Sequence, residues 1–455
     1  MPTQAFVPTE SHAQTVFHSA GSFTGTLRRG SYQLFMRKRF FVIIAAVVAG
    51  YGAAQYAAHL GAPSWWPDRD RDRNVRYFRE VMQMVKENYV GDAPADYDDL
   101  TRAALSGMVG TLDPHSEFMR ADAFAETEEE LSNAFGGVGM QVEQRDGQIF
   151  VVAPIAGTPA ERAGMRRGDR LMKIDGKTID NPTVEKTVRL VRGEPDTEVV
   201  ITVYRSSQNR TIDFKLKRER IHLESVVNAT VNSDGIGYLQ ITQFSERTAE
   251  EFTDALTGLE KQGLRALVID LRNNPGGLLD AAVDVCNQFF DKDELIVYTK
   301  GRTPESQESF RAKGNHVKRT YPIAILVNGG TASAAEIVSG AMKDTKRAVI
   351  VGEKTFGKGS VQSVLELRDG EGLRLTTARY YTPSGVTIHE KGITPQVEVE
   401  ISADDDGKIR LQQSRPDLST PADFSERFGF KKIDDAQLDA ADEVLEGVLA
   451  IRDGK

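Results

Sequence analysis

The chain has 455 residues, enough for two to four domains at roughly 100–200 residues each, and its 40% apolar and 27% charged content marks a mainly folded protein. With 57 basic against 66 acidic side chains the net charge is −9, and no basic block is present, so nothing points to nucleic-acid binding. The single cysteine, Cys286, excludes an internal disulfide or a cysteine zinc site, and the seven scattered histidines form neither HxxxH nor HExxH, so no metal is expected.

Residues 1–36 show no periodic pattern and read as a disordered tail or a mis-assigned start, because Met36 opens a natural export signal, MRKRFFVII. Arg37, Lys38 and Arg39 precede the apolar run Phe40–Leu60, the layout of a signal peptide. Its 21 residues approach the ~20 that span a hydrocarbon core, so residues 37–60 read as a cleaved signal or an uncleaved anchor. The anchor is favoured because no clean A-x-A site follows. Positive charge on the N-terminal side then places the rest of the chain outside the cytoplasm, in a periplasmic or similar compartment.

Residues 61–132 read as a linker, PSWWPDRDRDR, followed by an N-terminal helical region. Val75, Phe78, Val81, Met82, Val85 and Tyr89 form one apolar stripe at helical spacing; Leu105, Met108, Val109 and Leu112 form another. The turn Leu112-Asp113-Pro114-His115-Ser116 ends the second pattern.

Over 133–218 the pattern changes to short β-runs punctuated by glycine, with a short helix at Pro159–Ala163, a suitable size for an independent domain. Over 219–400 strand and helix alternate. The runs ALVIDL (266–271), IAILVN (323–328) and AVIVG (348–352) are continuously apolar, as in strands covered on both faces, which predicts an α/β layer structure. Residues 401–455 read as an acidic linker at Asp404–Asp406 and a last amphipathic helix near Ala436–Ile451.

Four segments carry chemistry. In Asn328–Glu336 a buried strand, two glycines and a helix start place Ser333 where free N–H groups and the helix dipole favour negative charge. Taken alone, an N-cap role for Ser333 or Thr331 explains the same residues. In Gly352–Gln362, Lys358 stands between two glycines at the entry to an apolar β-run. A lysine desolvated there would lose its proton more easily and could act as a general base. Gln362 shares a face with Lys358, although contact between them requires a bend. The segment also approaches G-x-x-x-x-G-K, but Gly359 stands where Ser or Thr would hold Mg²⁺ and a strand follows instead of a helix.

In Asp270–Gly277, a loop after a buried strand, the Gly277 N–H could supply one oxyanion donor and Ala334 the other. An ordinary strand-to-helix loop reads the same. In Gly136–Met140, a glycine loop leads into a strand that could receive an extended peptide, with Val184, Val188 and Val191 near its last side chain or simply in the core.

Together the segments LDPHS, GGVG, TPAERAG, RRGDRLMKIDG, DLRNNPGG, NGGTASAAEI, GEKTFGKGSVQ and ARYYTPSG resemble the carboxyl-terminal processing (tail-specific) proteases, over about residues 74–400. The resemblance implies a crotonase-like α/β protease core with an inserted β-rich PDZ domain and flanking helical N- and C-terminal regions. It implies Ser333 as nucleophile, Lys358 as general base, Gln362 as the residue positioning the lysine, and Gly277 and Ala334 as oxyanion donors. Serine and lysine stand 25 residues apart, as that pattern requires. Gly137, Val138, Gly139, Met140 and Val188 would bind the C-terminal tail of a protein substrate, and no cofactor is needed. His115 stands where an aromatic residue is more usual, and His389 would permit a Ser-His-Asp reading, although the lysine motif is intact. The PDZ domain is a candidate gate for the protease, with Arg205 bridging toward the core in the active form. The flanking helices are candidates for self-association, and an activating adaptor is left open. Two competing readings are a membrane-anchored PDZ scaffold with a dead core, which would have lost Ser333 or Lys358, and an acyl-CoA hydratase or isomerase, which would want a carboxylate base.

Overall fold

A computed structural model describes residues 68–91, 96–314, 317–415, 418 and 420–454. The apolar run 40–60 therefore lies outside the described residues. The chain divides into two units, residues 1–100 and 101–455.

In the first unit, α1 (Arg69–Asn88) starts inside the expected linker. Asp68 caps it by accepting from the Arg71 N–H, and Asp70 and Asp72 sit in its first turn, where the helix dipole favours acids. Its stripe forms as expected, with Val75, Phe78 and Tyr89 exposed among the described residues. Helix α2 (Tyr97–Gly110) runs from the first unit into the second.

The second unit opens with β1 (Glu117–Met119) and α3 (Ala121–Ser132). The middle domain follows as β2 (Ala134–Gly137), β3 (Met140–Arg145), β4 (Gln148–Pro154), α4 (Pro159–Arg162), β5 (Arg170–Ile174), β6 (Lys177–Thr178), α5 (Val184–Val191), β7 (Glu198–Arg205), β8 (Arg210–Lys217) and β9 (Glu219–His222). Five of these strands form a sheet in the order β3-β4-β5-β7-β8, with β6 on β5. Val199, Ile201 and Val203 alternate inward along β7 onto Ile149, Val151, Leu171 and Phe214. β3 is the edge strand, and α5 packs beside it.

The core sheet has the order β10-β11-β12-β15-β16-β19, from β10 (Val226–Val231), β11 (Ile236–Ile241), β12 (Ala266–Asp270), β15 (Ile323–Val327), β16 (Val349–Gly352) and β19 (Val397–Glu398). All pairs but β10–β11 are parallel. Along β12, Leu267 and Ile269 face α6 (Thr248–Lys261), α7 (Leu279–Cys286) and α8 (Ala334–Asp344), while Ala266 and Val268 face the opposite side. That side is closed by Ala441, Leu445 and Leu449 of the last helix, Ala436–Arg452. Both faces being covered is why β12 reads as a continuous apolar run. A second, antiparallel sheet has the order β1-β18-β13-β14, from β13 (Leu295–Gly301), β14 (Glu308–Arg311) and β18 (Gly372–Tyr381), with β17 (Ser360–Glu366) also paired to β18.

The acidic linker is corrected to a helix. Ser402 caps α9 (Ala403–Ser414), and Asp404, Asp405 and Asp406 occupy its first turn, where three like charges are compatible with the dipole. It continues to α10 (Pro421–Phe428), and Arg415 and Arg427 both pair with Glu143 on β3, at 3.0 and 2.6 Å. The last helix is α11 (Ala436–Arg452).

Candidate active site

Ser333 stands where β15 ends and α8 begins, with φ +53° and ψ −115°. A residue with a Cβ rarely adopts positive φ, and such strain between a strand and a helix marks nucleophile turns. In the facing loop, Gly276 makes room for this turn and Gly277 for the Phe244 backbone. Gly276 has φ +102°, and a Cβ there would lie 2.7 Å from Ser333 Cβ and 2.9 Å from the Ala334 nitrogen. Gly277 has φ +134°, and a Cβ there would strike the Phe244 carbonyl oxygen. Phe244 donates to the Gly276 carbonyl and accepts from the Leu278 N–H, each at 2.8 Å, which holds this loop against the serine turn. The loop therefore brings Gly276, the neighbour of Gly277, against Ser333 and the Ala334 nitrogen.

Lys358 arrives from the loop after β16. No motif assigned a role to the carboxylate that fixes it. Glu336, wholly buried in the first turn of α8, accepts from the backbone N–H of Ser333 at 2.9 Å and of Gly357 and Lys358 at 2.8 Å each. It also accepts from the Thr355 hydroxyl at 2.5 Å. The Phe356 N–H donates to the Thr331 carbonyl, a second tie between the two loops. Burial raises the Glu336 pKa, and those four donors oppose the rise. The serine turn and the lysine loop are thus joined through one carboxylate.

Around the Lys358 amine, burial and then the Arg374 cation hold its pKa below the usual lysine value of 10.5. Among the described residues no hydrogen bond joins Lys358 Nζ to the Ser333 hydroxyl. That hydroxyl instead meets Tyr380, whose phenol burial pushes up to about 12. Gln362 lies on β17 opposite Thr376 of β18, past a register shift between Val361 and Gln362. Its Nε2 donates to Thr376 Oγ1 at 2.8 Å and to Ser360 Oγ at 3.2 Å, and its buried Oε1 accepts from nothing among the described residues. His389 is not part of this cluster: its backbone packs on Gly359 and its imidazole lies 3.8 Å from Glu390.

In the middle domain, Gly137, Val138, Gly139, Met140 and Val188 line a single cavity of about 530 Å³ between β3 and α5. The C-terminal arm reaches the same cavity through Ser414 and Arg415. Nothing in the acidic stretch of the sequence signals that approach. Arg205, considered for a bridge to the core in the active form, here has its guanidinium buried in a two-pronged pair with Asp169 at 2.7 Å, within the middle domain.

Residues 235–399 match the model of peptidase family S41, and residues 150–205 match that of a PDZ domain. The chain is 38% identical over 363 residues to the carboxy-terminal processing protease CtpA of Bacillus subtilis, covering 80% of this chain and 77% of that one. It is 40% identical over 332 residues to a carboxy-terminal-processing protease of Bartonella bacilliformis, covering 72% and 75%. Among solved structures it is similar to a photosystem II D1 C-terminal processing protease, at 30% identity over 71% of this chain and 92% of that one, with a TM-score of 0.42.

Proposed function

The chain belongs to peptidase family S41 and is a serine endopeptidase carrying a PDZ domain, and from that premise we propose that it cleaves proteins near their carboxyl termini by a serine–lysine mechanism. The observation that carries this reading is the convergence of three loops: the strained Ser333 turn, the Gly276–Gly277 loop against it, and the Lys358 loop tied to it by Glu336. The parallel sheet ending at a helix N-terminus is what a crotonase-like core requires.

A substrate's terminal carboxylate is held at Gly137–Met140, its chain extends along the β3 edge, and its last side chain enters the cavity beside Val188. At the core, Lys358 in its neutral form reaches the Ser333 hydroxyl. It takes the hydroxyl proton as Oγ bonds to the scissile carbonyl carbon. The Gly277 and Ala334 N–H groups stabilise the oxyanion. The lysine then gives that proton to the leaving amine nitrogen as the C–N bond breaks. In the second half, water loses a proton to Lys358 as its oxygen bonds to the ester carbon; the C–Oγ bond then breaks, Lys358 gives that proton to Ser333 Oγ, and the acyl group leaves as a carboxylic acid. Gln362 fixes where the lysine amine points. The basic residues and apolar run at 37–60 support export, with the protease domains on the far side of a membrane.

Ser333→Ala and Lys358→Ala should each abolish cleavage of a peptide with a free C-terminus while leaving the protein folded, and amidating that terminus should weaken cleavage by the native enzyme. Cleavage by folded Lys358→Ala at the native rate would refute the mechanism. Tail binding without any cleavage by the native chain would instead favour the scaffold.

A further inference from the structure

We propose that Asp113 and Thr376 are positioning residues for this reaction, acting through a one-directional chain of hydrogen bonds that presents the Gln362 side-chain oxygen, and not its NH2, to the Lys358 amine. The proposal rests on the serine–lysine reading above.

The direction follows from counting protons. Asp113, in the turn after α2, accepts at Oδ1 from the His115 and Ser116 N–H groups at 2.8 and 2.9 Å, and at Oδ2 from the Ser116 hydroxyl at 2.7 Å. Thr376 Oγ1 also donates to Oδ1, at 3.1 Å. An ionised carboxylate only accepts, so the one proton of the Thr376 hydroxyl is committed to Asp113. The oxygen can then offer Gln362 only a lone pair, and the amide group 2.8 Å away must be the NH2. Its second proton goes to Ser360 Oγ. The amide is planar, so Oε1 is turned the other way, and among the described residues it is the buried side-chain acceptor left without a donor. Ser116 closes the arrangement: its proton goes to Asp113, and its oxygen accepts the Thr376 N–H at 3.1 Å.

The amine that could satisfy this oxygen shares its surroundings. Thr376 and Arg374 alternate along β18, opposite Gln362 and Val364, so they lie on one face of the sheet. Lys358 stands two residues before β17, the strand that carries Gln362, and the Arg374 cation contributes to lowering its pKa. Asp113 stays ionised: burial works against the charge, but the bonds from Ser116, His115 and Thr376 hold its pKa below the usual carboxylate value.

The amide's orientation decides the chemistry. A neutral lysine amine that donates to an acceptor oxygen keeps its lone pair free for the Ser333 proton. With the amide reversed, its NH2 would donate to that lone pair and occupy the base.

The test uses the full chain, a peptide with a free C-terminus, and Thr376→Val, Thr376→Ser and Asp113→Asn, with Ser333→Ala in parallel. Thr376→Val removes the hydroxyl with little change of shape, and Asp113→Asn supplies a donor that can reverse the chain. Both should lower kcat about tenfold while KM stays within about twofold, as expected when an interaction of the reacting state is lost. Thr376→Ser should hold kcat within about twofold of native. Native kcat in Thr376→Val would overturn the proposal, as would a loss in Thr376→Ser equal to that in Thr376→Val. Cleavage by Ser333→Ala would show instead that the underlying serine mechanism is wrong.

Discussion

Glu336 is a buried acid with no cation among its hydrogen-bonding partners. Three of its donors are backbone N–H groups, so its carboxylate sets the spacing between the serine turn and the lysine loop. Glu336→Gln keeps the shape but turns an NH2 toward at least one backbone N–H, which can only donate. Leaving such groups unpaired costs about 1–3 kcal/mol. The expected result is a lower Tm by calorimetry together with a drop of kcat of about tenfold or more, both loops having lost their common anchor. Native kcat in this variant would mean that the loops hold their places without it. The residue scale is also where the sequence is least legible. Ser333, Lys358 and Gly277 stand in recognisable motifs, because strained turns and close approaches demand particular residues locally. Glu336 and Thr376 act through partners 22 and 263 positions away, and no local spacing encodes that.

Among elements, the strands of the core were readable because burial on both faces removes every polar residue from β12 and β15 except Asp270, at the end of β12. The C-terminal arm was misread because Asp404–Asp406 resembles a solvated linker, although a capped first turn tolerates the same charges. That arm is held to the middle domain by Glu143, packed between Arg415 and Arg427. Burial alone would raise the Glu143 pKa, but Arg427 and Arg415 bring it below 4.5. A carboxylate with a depressed folded pKa stabilises above its unfolded value and loses that contribution as pH falls through the folded one. The arm should therefore keep its hydrogen-exchange protection at neutral pH and lose it below about 4.5, the window set by this shift. Glu143→Gln should lose part of that protection at neutral pH already. Equal protection in variant and native chains would show that other contacts hold the arm.

Across the whole molecule, the α/β core and the β-rich middle domain follow from patterning that any reader of the sequence meets: periods of two, glycine turns and continuous apolar runs. The coverage of the sheet's second face by α11 does not, since an amphipathic stripe gives no indication of which surface it meets. The catalytic proposal depends on the assembled molecule, because the lysine's pKa is lowered by burial and then by Arg374, 16 residues further along the chain. The most direct test is an NMR titration of the enzyme labelled at lysine Cε, with Lys358 assigned by the signal lost in Lys358→Ala. The account predicts that Lys358 titrates below 10.5, that its midpoint coincides with the rise of kcat/KM with pH, and that Arg374→Gln moves both upward. A lysine that stays cationic throughout the pH range in which activity rises would contradict it.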